Sequence, residues 1–398
     1  MKVLGIIAEY NPMHTGHIYH INEAKKITNS DYVIAIMSGS FTEQGNIAML
    51  DKFTRAKEAI NSGVDLVIEL PTIYAVSDGG SFANKAIQIL NDLNIVDSIC
   101  FGAETGDISK LNNIANTIVV NEEKIWDDIK ENLKKGISFA NARNEALKFF
   151  LKDDEINLVN TPNNILGIEY LKSIITLNSN ITPYCIKRES NDFNDNIITQ
   201  EYTSSTSIRK YLEDGKDIQN ISEYISKNTL NSILNSKVLF NKDIFEILKY
   251  KIITISKEKL RNIYGITEGL ENKIQSEIID SYTYEDFIFK LKSKRYELSK
   301  IKRMLIHILL DTTKEDFENL KDSNSNYAHV LAFNHDKKEI LSYISKNSKI
   351  PILTSINDNT LAKLTQKQRK LIDYDLKASN IYSILNETKL NQDYINML

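Results

Sequence analysis

Short apolar runs alternate with amphipathic stretches through the first half of the chain. Residues 1–10 (MKVLGIIAEY), 31–37 (DYVIAIM), 65–70 (DLVIEL), 98–101 (SICF) and 183–188 (PYCIKR) read as buried strands. Helical periodicity occupies the intervals, over about 14–27, 52–62, 81–93 and 161–170, with Gly63 and Pro71 as stops. Asn163 or Asn164 is expected either to cap the last of these helices or to read a base edge through its amide. Strand–helix alternation at this spacing predicts βαβ units and a Rossmann-like parallel sheet. Ligands in such sheets bind beyond the carboxyl ends of the strands. Those ends are Glu9 to Asn11, Ser38-Gly39, Glu69-Leu70, Gly102-Ala103 and Lys187-Arg188.

The pattern then changes. Residues 107–160 are charged and helical, an expected insertion over one face of the sheet with Trp126 in its core. Beyond about residue 215 glycine thins out and long helical stretches dominate. Residues 284–310 carry Lys290, Lys292, Lys294, Arg295, Lys300, Lys302 and Arg303 among Tyr284, Phe287, Phe289 and Tyr296. A local excess of cations with interleaved aromatics predicts a face that tracks phosphates. Residues 328–356 read as strand–helix–strand, an expected small α/β lobe.

Composition narrows the class. The chain has 398 residues, 42% apolar and 26% charged, with a net charge of −4. That length holds two or three domains. No apolar run is long enough for a membrane span, and no signal-peptide pattern opens the chain, so a cytoplasmic protein is expected. Two cysteines, Cys100 and Cys185, exclude a disulfide framework and a zinc ribbon.

The chemistry concentrates in two segments. His14-Thr15-Gly16-His17 follows the first strand and opens the first helix, where free amides and imidazoles converge on one anion. Gly16 admits a close ligand. Donors aimed at charge on a departing pyrophosphate stabilise a transition state. His20 extends the row, but no cysteine or carboxylate completes a metal set, so no metal is expected there. About 190 residues later, Ser204, Ser205 and Thr206 stack at a helix start with Arg209 one turn on, an anion cradle with a planar clamp. Gly102 either turns the chain or lets adenine or ribose lie on bare backbone. Lys187-Arg188 is placed for phosphate or ribose.

This pairing, H-x-G-H with S-S-T-x-I-R, resembles the nucleotidyltransferase branch of the HIGH-motif adenylyl enzymes. More closely, the chain resembles the bacterial tRNA(Met) cytidine acetate ligase family. The resemblance spans nearly the whole length, through Glu9-Tyr10-Asn11-Pro12, Gly63 to Pro71, Pro162 to Gly167 and the segment around Lys294-Arg295-Tyr296. It implies ATP-dependent activation of acetate as acetyl-adenylate, then acetylation of the wobble cytidine of elongator tRNA(Met). It further implies ATP contacts from Ile7, Ala8, Glu9, Tyr10, Asn11, Pro12, Met13, His14, Thr15, Gly16, His17, Ile18, Tyr19 and His20, and from Gly102, Asn163 and Arg188. The sequence departs from the family in having Met13 for an aromatic, and Gln44 and Ile47 where relatives tend to have arginine and proline.

The expected organisation is a nucleotidyltransferase domain over 1–215, with its insertion near 107–160. A mainly helical tRNA-binding region follows over 216–398, with its lobe near 327–380. His14, His17 and Arg209 are the expected catalytic groups, Ser204 to Thr206 the cradle, and magnesium the companion of ATP. No membrane or protein partner is expected. A small-molecule adenylyltransferase and a non-catalytic ATP-sensing RNA-binding module are the alternatives.

Overall fold

In a computed structural model, residues 1–188, 204–267, 269–293 and 296–396 are described. Five strands form a parallel unit: β1 (Val3–Ala8), β2 (Tyr32–Ser38), β3 (Leu66–Leu70), β4 (Ser98–Ala103) and β5 (Thr182–Lys187). Two more, β6 (Ala328–Phe333) and β7 (Ile352–Leu353), come from the far end of the chain. The sheet order is β5-β4-β1-β2-β3-β6-β7, with β6 antiparallel to β3. The strand–helix–strand segment expected as a small lobe is therefore built onto the edge of the same sheet.

Alternation along each strand splits its side chains between two layers. Val3, Ile34, Ile36, Leu66 and Ile68 face helices Gly79–Asp92, Ile108–Val120 and Pro162–Thr176. Leu4, Ile6, Val33, Ala35, Met37 and Val67 face helices α1 (Thr15–Thr28) and α2 (Lys52–Asn61). Burial on both faces explains why the strands read as unbroken apolar runs.

Residues 108–158 form four helices, as the sequence predicts. Trp126 is not in their core: it is 45% exposed, its ring tilted against Phe139 with centroids 6.2 Å apart. A separate helical core gathers Leu248, Ile274, Phe287, Leu305 and Ile372. It also takes in Phe41, Ile47, Tyr74 and Val76 from the segments that follow β2 and β3, so the helical half is packed onto the strand ends.

Several local expectations change. Glu69, one of the strand-end residues expected near a ligand, lies on a strand flanked on both sides by β2 and β6. It is buried, bound to Lys52 Nζ at 2.7 Å and to His329 Nδ1 at 2.8 Å. Lys52 Nζ also lies 2.5 Å from Asp393. An ammonium thus already supplies the cation among Glu69, His329 and Asp393. The basic stretch is partly spent on internal contacts: Lys290 binds Asp286, and Arg303 binds Glu43. Tyr284 and Phe287 are buried, while Phe289 is exposed. Lys294 and Arg295 lie outside the described residues.

Candidate active site

The order of the parallel strands reverses between β1 and β4, which opens a crevice at their carboxyl ends. Three chain segments leave the sheet there. Residues 9–17 follow β1, Glu104 follows β4, and Arg188 follows β5.

The first segment turns sharply out of β1, with Tyr10 in the left-handed region at φ 46°. His14 is the N-cap of α1, and its Nδ1 accepts from the Gly16 amide at 3.1 Å. The Nδ1 of His17 accepts from the His14 amide at 3.3 Å. The two rings lie 3.8 Å apart, with Tyr10 edge-on to His17 at 5.1 Å. Because each Nδ1 is an acceptor, the proton of each neutral ring sits on Nε2.

Burial, reinforced by Arg188 and Arg209, pulls His14 down to about 3. Burial and the neighbouring His14 hold His17 well below its ordinary value, and burial with Arg188 brings His20 to about 4. Held neutral, the His14 and His17 rings offer an anion hydrogen bonds from Nε2. The fixed positive charge comes from the two arginines.

The helix start at residues 204–209 locks onto the first of these segments. Ser204 caps helix Ser205–Glu213 by accepting from the Ser207 amide at 3.1 Å. Ser205 Oγ donates to the Pro12 carbonyl at 3.1 Å, and Arg209 Nη1 donates to the Asn11 carbonyl at 2.5 Å. Thr206 Oγ1 accepts from Arg209 Nη2 at 3.1 Å. The serine and threonine hydroxyls therefore have protein partners, and the anion-cradling capacity of this helix start rests on its amides and on Arg209.

The third group surrounds Arg188. Strand β4 continues through Gly102 rather than turning there, and a Cβ on Gly102 would come 2.9 Å from Arg188 Cγ. The glycine lets the arginine lie across the strand. Arg188 Nη1 donates to Asn163 Oδ1 at 2.7 Å, and Asn163 Nδ2 donates to Glu104 at 2.7 Å. Neither asparagine caps its helix: Thr161 is the N-cap of helix Pro162–Thr176. Glu104 instead accepts the Asn163 and Asn164 amides at 3.0 and 2.7 Å.

Glu104 is a residue that sequence reasoning missed, although its place just past a strand end was a usable signal. Arg55 is another. Fully buried, it donates to the carbonyls of Glu9, Ser38, Gly39 and Leu50, and so sets the shape of the loops.

Five buried polar atoms on these segments have no protein partner: Tyr10 Oη, Asn11 Nδ2, Thr15 Oγ1, His20 Nε2 and Asn164 Nδ2. Buried polar groups usually find a partner, so these five leave the crevice with polar capacity that a ligand can take up. Above it, the loop containing Gln44 is met by helix Leu298–Leu310. Lys302 Nζ donates to Asn46 Oδ1 at 3.1 Å, and Arg303 pairs with Glu43 at 3.0 Å. Cations from the helical half thus stand over the loop that carries Gln44.

The model of the HIGH Nucleotidyl Transferase family matches residues 1–396. A tRNA(Met) cytidine acetate ligase of Clostridium botulinum (strain Okra / Type B1) is 41% identical over 99% of this chain and 97% of its own. The apo crystal structure of Thermotoga maritima TmcAL superposes with a TM-score of 0.94 at 31% identity, covering 100% of this chain and 99% of that one. A second TmcAL structure, bound with alpha-thio ATP, gives 0.89 at 31% identity over 99% and 96%. The chain belongs to the HIGH nucleotidyl transferase family and, within it, to the tRNA(Met) cytidine acetate ligases.

Proposed function

We propose that the chain is an ATP-dependent ligase that activates acetate and acetylates the exocyclic amine of the wobble cytidine in elongator tRNA(Met). The observation that carries the reading is the interlock of the two signature segments. Ser205 and Arg209 hold the Pro12 and Asn11 carbonyls, directly before the paired imidazoles. Candidate phosphate donors from two distant parts of the chain are thereby held side by side.

In the first half-reaction an acetate oxygen attacks the α-phosphorus and pyrophosphate leaves with the bonding pair. The Nε2–H groups of His14 and His17 and the fork of Arg209 are preorganised for the charge that builds on the phosphates. The amides at Ser205 and Thr206 extend this toward the pyrophosphate side. Gly102, Asn163 and Arg188, together with residues 7–20, take the nucleoside and α-phosphate. No protein nucleophile is required, so catalysis is positioning plus electrostatics.

Magnesium would accompany ATP and would screen the charge of its phosphates. In the second half-reaction the cytidine amine attacks the acetyl carbon and AMP leaves.

The test is transfer of labelled acetate into elongator tRNA(Met), with AMP and pyrophosphate measured as co-products. One acetyl group per tRNA at the wobble cytidine is expected, with one AMP formed for each. Formation of ADP, or acetylation at another nucleoside, would replace this reading.

A further inference from the structure

The acetate-ligase reading leaves one proton without a destination. The amine of cytidine is conjugated with its ring and weakly basic. When it attacks the acetyl carbon, the new N–C bond forms and the C–O bond of the mixed anhydride breaks. AMP departs with the electron pair, and the nitrogen must lose a proton.

A carboxyl on the loop between β2 and α2 stands beside the crevice, outside the groups assigned above to the adenylate step. The Glu43 amide donates to Glu9 Oε1 at 2.8 Å, which ties its loop to the end of β1. Its Oε1 receives Arg303 Nη1 at 3.0 Å, and the same guanidinium reaches the Glu43 carbonyl at 3.2 Å. The side chain is about a quarter exposed, at 26%, so a substrate can reach it while most of it is out of water. Gly45 fixes this geometry: with φ 72°, a Cβ there would lie 2.3 Å from the Arg303 backbone nitrogen. The carboxyl thus lies at the seam between the nucleotide crevice and the helical half.

The groups that face it come from four directions. Glu9 follows β1, Asp78 precedes helix Gly79–Asp92, Tyr170 lies on helix Pro162–Thr176, and Arg303 lies on helix Leu298–Leu310. Burial and the like charges of Glu9 and Asp78 outweigh Arg303 and bring Glu43 to about 7. That value suits a group that must take up a proton near neutral pH and release it afterwards. Glu9 is a poorer choice, because its carboxylate already accepts the Glu43 amide and is flanked by Arg209 and Arg55.

We propose that Glu43 is the general base of the transfer step, its Oε2 taking the proton from the cytidine amine as the acetyl group leaves AMP. The proposal rests on the acetate-ligase reading. It separates the two half-reactions, because adenylate formation releases no proton to this site.

The test compares the wild-type chain with Glu43→Gln and Arg303→Gln in two assays, acetate-dependent ATP–pyrophosphate exchange and acetyl transfer to elongator tRNA(Met). For Glu43→Gln, exchange is expected within about threefold of wild type, and transfer reduced about 100-fold or more, the scale of a lost general base. The rise of wild-type transfer with pH, centred near 7, should vanish in that variant. In Arg303→Gln the rise should move to higher pH, because the opposing charge is gone.

Parallel loss of exchange and transfer in Glu43→Gln would reduce the residue to a structural link. Unchanged transfer or a retained pH rise would overturn the role outright. A wild-type chain without acetate-dependent exchange would instead overturn the acetate-ligase reading, and the role of Glu43 with it.

Discussion

Arg209 Nη1 donates to the carbonyl of Asn11 at 2.5 Å, across 198 residues of chain. The same guanidinium reaches Thr206 Oγ1 at 3.1 Å, so it both holds the histidine loop and stays anchored to its own helix. Lysine would keep the charge but not the planar fork. Arg209→Lys should bind ATP about 10-fold more weakly, equivalent to about 1.4 kcal/mol. Titration calorimetry with ATP checks this, and unchanged affinity would remove Arg209 from the phosphate site.

Gly102 and Arg188 make a second test. A methyl at position 102 would come 2.9 Å from Arg188 Cγ and 3.1 Å from its Cδ. Both clashing atoms belong to a flexible side chain, so the arginine yields and the sheet does not. Gly102→Ala is expected to raise the dissociation constant for ATP by about 10-fold and to leave the melting temperature almost unchanged. Equal loss of stability and affinity would show that the glycine serves the strand instead.

Neutral histidines give the stability a defined pH dependence. His14 and His20 are held near 3 and 4 in the folded chain, against 6.5 as the ordinary value. Below about pH 6.5 the unfolded chain therefore binds more protons than the folded one. Their contribution is complete above 6.5 and declines as pH falls toward 4 and 3. The slope approaches about 1.4 kcal/mol per pH unit for each ring. Glu43 and Asp375, held near 7 and 8, act oppositely, so the readout is a difference between proteins. Urea denaturation at pH 7.5 and 5.5 should show a smaller acid loss for the double variant His14→Asn/His20→Asn than for wild type. Equal losses would contradict the neutral state.

The buried ammonium of Lys52 is shared by Glu69 and Asp393. Removing it strands two buried carboxylates, and breaking such a set costs about 3–5 kcal/mol. Lys52→Met should lose stability on that scale in chemical denaturation. Adding Glu69→Gln should restore part of it, because one uncompensated charge disappears. If the single substitution cost less than about 1 kcal/mol, the cluster would be ordinary polar surface in energetic terms.

What could be read from the chain depended on how local each signal is. The five parallel strands and the two signature segments are written in consecutive residues, and their alternation and helix-start chemistry need no distant partner. His14, His17 and Ser204 accordingly occupy helix starts, where their spacing puts them. The role of Glu104 was missed because its partners are amides 59 and 60 residues away, and its place just past a strand end was the one local sign of it. Arg55 binds only carbonyls, which carry no sequence signature. Glu69 looked like a cleft residue because His329 and Asp393, which explain it, lie near the other end of the chain. The antiparallel pairing of β6 with β3 is equally non-local. The neutral state of His14 is non-local as well: it follows from burial and from Arg188 and Arg209, not from the motif.

The most direct measurement is ATP–pyrophosphate exchange by the purified full-length chain, with and without acetate and without tRNA. Exchange that depends on acetate and falls sharply in His17→Ala is the predicted result, since acetyl-adenylate forms reversibly at the crevice. Exchange indifferent to acetate, or none in its presence with and without tRNA(Met), would contradict the central claim.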